Sequence, residues 1–241
     1  FRWLNWIGHV LIDNVELSIG GQQIDKQTGE WLHVWNELTQ TSEHAAAYAE
    51  MVGNVPRLTQ IQSSNSGTDD TTGTTDSYTL YIPMQFWFCR HAGLALPIIS
   101  LQYSDIKVGV TLRPVDECIW ARKQDTSTTF DSSGSSALAS VPSLSDTYLY
   151  VDYIFLDTAE RRRFAQVQHE YLIEQTHQTK TKTIGIGESS NTVSFKLNHP
   201  VKELVWLVQP ETFTTNAFTQ PRGGPQWFNY TDYWDYSGFS G

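Results

Sequence analysis

Apolar residues recur at every second position through most of this chain, and turn residues separate the segments that show it. In VELSI, Val15, Leu17 and Ile19 fall on one face, and Gly20-Gly21 offers the pair of positive-φ residues of a tight hairpin leading into QQID. SYTLYIPMQFWF puts Tyr78, Leu80, Ile82, Met84, Phe86 and Phe88 on one side, with Pro83 marking an edge strand or a bulge. Ile106, Val108, Val110 and Leu112 alternate in IKVGVTLR. YLYVDYIFLD is apolar on both faces except at Asp152, which predicts a strand covered on both sides. VSFKLN and VKELVWLVQ follow, broken by Asn198-His199-Pro200. No regular helical crossover links these strands, so the pattern predicts an all-β fold, an antiparallel sandwich or barrel.

The period changes in four places. After Gly29, Trp31, Leu32, Trp35 and Leu38 stand at helical spacing, and Ser42 is placed to cap a second short helix ending near Gly53. Residues 63–77 and 125–146 are polar, of low complexity and too long for hairpin turns, and read as exposed loops. The fourth change is LDTAERRRFAQ, residues 156–166. Asp157 or Thr158 can cap a helix there, and Glu160 follows Asp157 at capping-box spacing.

Composition narrows what such a chain does. Aromatics make up 13% of its 241 residues and charged residues only 17%, with a net charge of -10. An acidic balance argues against a protein whose main task is to bind a polyanion. Cys89 and Cys118 are too few for a disulfide scaffold and read as reduced thiols. No apolar run approaches the roughly 18 residues of a membrane span. The chain starts at Phe1 in strand-like sequence and ends on YSGFSG, which predicts a piece of a longer polypeptide.

Candidate chemistry is sparse. The seven histidines show no metal-ligand spacing, so no metal or cofactor is expected, and no G-x-S-x-G elbow occurs. Gly185-Ile186-Gly187 lacks the third glycine of a dinucleotide loop. Asp69-Asp70 sits in a loop that would not fix a carboxylate separation. Asn229-Tyr230-Thr231 is the one N-x-S/T sequon, which makes Asn229 a candidate glycosylation site.

Arg161, Arg162 and Arg163 stand out in an acidic chain. Successive helical residues diverge by about 100°, so three in a row cannot form one face toward a phosphate backbone. Positive charge near a helix N-terminus needs compensation, for which Asp157, Glu160, Glu170 and Glu174 are candidates. Arginine makes planar bonds to carboxylates and carbonyls, and Phe164 with Val167 supplies a small apolar face. The segment therefore reads as a clamp joining two structural units.

LYVDYIFLDTAERRRFAQVQHEYLIEQ closely resembles the segment between the two barrels in major capsid proteins of nucleocytoplasmic large DNA viruses, such as iridoviruses and phycodnaviruses. IGHVLIDNVELSIGGQQIDKQTGEWLHVWNELT, IPMQFWFCRHAGLALPIISLQYSDIKV and NHPVKELVWLVQ resemble the same family in the same order. The resemblance implies two tandem antiparallel jelly rolls, a homotrimeric pseudo-hexagonal capsomer and an icosahedral shell. Residues 1–157 would be most of the first jelly roll, 158–168 a linker helix and 169–241 the start of the second. Its partners would be copies of itself, neighbouring capsomers and minor capsid proteins. Genome contact would be indirect, through an inner membrane or those minor proteins. It would be made and assembled in the host cytoplasm, and would not be an enzyme. Two other readings stay open: a lectin-like β-sandwich, which the aromatic tail also permits, and an enzyme on a jelly-roll scaffold.

Overall fold

The structure is a computed structural model, and it describes residues 2–60, 77–120, 143–185, 187–210, 213 and 226–229. Its centre is a three-stranded antiparallel sheet in the order β3-β2-β4. Strand β2 (Ile12–Ile19) turns through Gly20 and Gly21 into β3 (Gln22–Thr28). The two glycines have φ of 60° and 79°, so the hairpin is the mirror-image turn that positive φ permits, and it pairs Ile19 with Gln22. A bulge between Leu17 and Ser18 shifts the register further along. Strand β4 (Ile106–Leu112) flanks β2 on the other side, setting Val110 against Val15 and Val108 against Leu17. Val15 and Leu17 on the central strand are wholly buried, whereas Val110 on the flanking β4 is 47% exposed. A two-stranded sheet pairs β1 (Arg2–Trp3) with β5 (Ile119–Trp120).

Helix α1 (Ile7–Leu11) runs directly into β2, and α2 (Gly29–Thr39) starts where β3 ends. Thr28 caps α2 by accepting the amide of Trp31 at 3.3 Å. Gly29 is required here: a Cβ would collide with the carbonyl oxygens of His9 and Ile12, so only glycine lets α2 lie against α1. Both helices expected after Gly29 form, the second being α3 (Ser42–Met51) with Gly53 at φ 79° just beyond it. Two details differ from expectation. Thr41, not Ser42, is the N-cap residue, and Thr41 Oγ1 bonds His44 Nδ1. The inward face of α2 is also turned: Leu32, His33 and Asn36 are buried, Trp31 and Trp35 lie at its border, and Leu38 is exposed. Helix spacing fixes which residues share a face, but neighbouring elements decide which face goes inward.

Two apolar clusters hold the fold. Ile12, Val15, Leu17, Leu32, Phe86 and Trp87 form one beneath the sheet. Leu4, Ile7, Val10, Leu58 and Cys118 form the other around α1 and the short helix α4 (Pro56–Thr59). Residues 77–86, expected as a strand, are extended without a ladder, and Trp87–Arg90 coils into the helical turn α5. The alternation persists nonetheless, with Tyr78, Leu80 and Ile82 turned toward the clusters and Tyr81 outward. The strands expected at 148–157, 193–198 and 201–209 likewise show no ladder among the described residues. A segment apolar on both faces needs a layer on each, and no described residues supply them. Phe155 is 93% exposed and Trp206 82%. The polar loops lie almost wholly outside the described residues, as do Asp69, Asp70 and Ile186. Cys89 and Cys118 are free thiols.

Candidate functional site

LDTAERRRFAQ contains helix α6 (Thr158–Gln166). Asp157 is its N-cap, accepting the Glu160 amide at 2.8 Å, and Glu160 adds a second carboxylate to the first turn. The helix is short enough that Arg163 stands in its last turn, where the macrodipole favours a cation. Arg161, Arg162 and Arg163 fan outward and are exposed, and no ion pair among the described residues involves them. The helix is fastened at its C-terminal end instead. Ser100 Oγ and His169 Nε2 both donate to the carbonyl of Phe164, at 2.6 and 2.9 Å, and the rings of Phe164 and His169 stack at 4.8 Å.

One arginine that joins distant segments is Arg90. Its Nη1 donates to Glu174 Oε2 at 2.6 Å, its Nη2 donates to the carbonyl of Gln85 at 3.1 Å, and its guanidinium lies 4.0 Å over the ring of Trp35. Lys202 Nζ holds the other Glu174 oxygen at 2.6 Å. The hydrogen bond from Lys202, with the charge of Arg90 beside it, keeps the Glu174 carboxyl below the usual carboxylate range. Glu174 is thus committed to Arg90 and Lys202, not to the α6 arginines for which it was a candidate partner.

Next along the chain, Gln175 Nε2 donates to the carbonyl of Ile24 at 2.5 Å, and the Thr176 amide donates to Asp25 Oδ1 at 3.0 Å. Asp25 is buried, and burial pushes its carboxyl pKa up against the bonds from Thr176, Gln27 and Lys26. Residues 174–176 therefore stitch the later half of the chain onto the β2–β3 hairpin and α5. Sequence reasoning missed Arg90 and Asp25 because each partner is far away in the chain and neither residue sits in a motif.

A second junction lies beside α1. His9 and His33, which show no metal-ligand spacing in sequence, face each other with ring centroids 5.8 Å apart, and His9 Nε2 shares a 2.8 Å hydrogen bond with the Tyr48 hydroxyl. Trp6 and Phe228 close the nest, Phe228 stacking on His33 at 4.3 Å. Burial lowers the His9 pKa to about 3 and that of His33 to about 4 and raises the Tyr48 pKa to about 12, with the neighbouring His33 adding to the effect on His9. Asn229, the sequon residue, is 7% exposed, and its Nδ2 donates to Gln226 Oε1 at 2.7 Å, so this conformation does not present the amide to solvent. Among the described residues no group of three or more His, Cys, Asp or Glu side chains could hold a metal ion, and no helix is long and apolar enough to cross a membrane.

Residues 1–157 match the family model described as "Major capsid protein N-terminus", and residues 160–235 match "Large eukaryotic DNA virus major capsid protein". A major capsid protein of Phaeocystis pouchetii virus is 43% identical over 97% of this chain and 48% of its own length. One from Chrysochromulina ericina virus is 45% identical over 96% of this chain and 43% of its own length. The chain thus spans about half the length of these curated relatives. A solved structure, a quasi-atomic model of the PBCV-1 virus capsid, aligns with a TM-score of 0.48 and 30% identity over 72% of this chain and 36% of that one.

Proposed function

The chain belongs to the major capsid proteins of large eukaryotic DNA viruses, and from that membership we propose that its full-length subunit is a double jelly roll that assembles as a homotrimer. Residues 1–157 form most of the first barrel, 158–168 the linker and 169–241 the opening of the second. Six barrels per trimer give the capsomer its pseudo-hexagonal outline, and capsomers tile an icosahedral shell with minor capsid proteins between them. The central antiparallel sheet and the two family models, which abut at α6, support this division.

The observation that carries the proposal is that the two capsid family models match in chain order, residues 1–157 and then 160–235. Leu149, Phe155, Leu172, Trp206 and Val208, each more than half exposed on strand-like sequence, need a covering layer that the rest of the subunit and neighbouring barrels would supply. The work is then done by packed interfaces, and a net charge of -10 keeps genome contact indirect. The protein resides in the virion capsid, after assembly in the host cytoplasm. The lectin-like reading finds no support, since the matched relatives are capsid proteins. Light scattering on the full-length protein tests the proposal: a trimer at micromolar concentration is expected, and a stable monomer contradicts it.

A further inference from the structure

Residues 226–229 fall within the stretch matched by the second family model, yet they pack against the part of the chain that precedes α6. Gln226 and Asn229 are buried, and Trp227 and Phe228 are partly buried against the apolar cluster of Leu4, Ile7, Val10, Leu58 and Cys118. Trp227 Nε1 donates to the carbonyl of Glu117, the neighbour of Cys118, at 2.9 Å, and the Arg113 guanidinium lies 4.2 Å over the indole. Phe228 stacks on His33 of α2 with centroids 4.3 Å apart. From the other side, Gln209 Nε2 donates to the Trp227 carbonyl at 2.7 Å, and the backbone amide of Gln226 donates to the carbonyl of Phe213 at 2.8 Å.

We propose that Trp227 and Phe228 are core residues of the unit that precedes α6, and that residues 226–229 and the cluster around α1 open and close together. The folding boundary of that unit then does not fall at the linker helix. The elements that carry the cluster are short: β1 and β5 span two residues each, α4 four and α1 five. Ladders and helices of this length are not stable through their own hydrogen bonds, so packing has to hold them. An indole and a phenyl ring are among the largest apolar groups available for that packing. Held at both its N–H and its face, the indole is also fixed in orientation, as a core side chain is. The seat lies within one chain, so its test does not depend on the trimer.

Two thiols report on the seat. Cys118 is wholly buried in the cluster, where burial pushes its pKa up to about 12, and Cys89 is exposed. Iodoacetamide labelling of the full-length protein at about pH 7.5, followed cysteine by cysteine through peptide mass spectrometry, therefore modifies Cys118 when the cluster opens and Cys89 at all times.

Trp227→Ala with Phe228→Ala should speed the labelling of Cys118 by roughly 10-fold or more and leave that of Cys89 unchanged. Trp227→Phe keeps a ring in the seat but strips the Glu117 carbonyl of the indole donor, and should speed Cys118 labelling by roughly 3- to 10-fold. This milder variant keeps the test usable where the double variant folds poorly. Hydrogen exchange on the same samples should show α1 losing protection along with Cys118 while the β2–β3 hairpin keeps its own. Unchanged Cys118 labelling in both variants would overturn the proposal, and so would Trp227→Phe if it exposes the hairpin as much as Cys118.

Discussion

Replacing Arg90 with alanine separates the two arginine sites of this chain most sharply. The substitution removes three contacts together: the pair with Glu174, the bond to the Gln85 carbonyl and the stack on Trp35. The Glu174 side chain is 42% exposed, so the ion pair is discounted for solvent to about 0.2–1 kcal/mol. The stacked guanidinium contributes about 0.5–1 kcal/mol, and the bond to a backbone carbonyl about 1 kcal/mol. Arg90→Ala should therefore cost about 2–3 kcal/mol in urea denaturation of the full-length protein. Arg90→Lys keeps the charge but loses the fork and the stack, and should recover less than half of this. A double-mutant cycle with Glu174→Ala should return a coupling of about 0.5–1 kcal/mol. Arg162→Ala, at an exposed position with no ion pair among the described residues, should leave the stability of the subunit fold within about 0.5 kcal/mol of the parent. If Arg90→Ala is neutral, residues 174–176 are not held as described.

Three further outcomes are expected. Gly29→Ala should cost about 2 kcal/mol or more, because the new Cβ meets two backbone carbonyls that cannot yield without parting α1 from α2; thermal melts of the variant check this. Asp25 binds its proton more tightly folded than unfolded, so its contribution to stability falls as pH rises from the unfolded value near 3.8 through the raised folded one. Denaturation series from pH 3 to 6 should show that decline in the parent relative to Asp25→Asn, and parallel curves would remove the carboxyl as its source. Arg162→Ala or Arg163→Ala in the full-length protein should lower trimer yield without changing DNA retention; normal assembly with loss of nucleic acid would contradict the linker role.

Local physics made much of the fold legible. Gly20-Gly21 between alternating segments specifies a hairpin, the apolar period after Gly29 specifies helices, and Asp157 three residues before Glu160 specifies a cap. Each signal lies within a few residues of the structure it produces. What was not legible depends on partners far away. The inward face of α2 is set by α1, and Arg90 meets a carboxylate 84 residues on. His9 and His33 come together only because α1 and α2 cross at Gly29. The ladders expected at 148–157 and 201–209 fail to appear for the same reason: alternation specifies a strand's faces, but pairing needs another strand. The α6 arginines make no ion pair among the described residues, whereas Arg90, which no motif marks, pairs with Glu174.

The central claim is that this chain is part of a shell-building subunit with two barrels, three copies to a capsomer. Electron microscopy of the full-length protein in solution tests it most directly. The expected particle is a trimer of hexagonal outline about 75 Å across, from six barrels each roughly 25–30 Å wide. A monodisperse monomer, or a trimer showing three lobes instead of six, would contradict it.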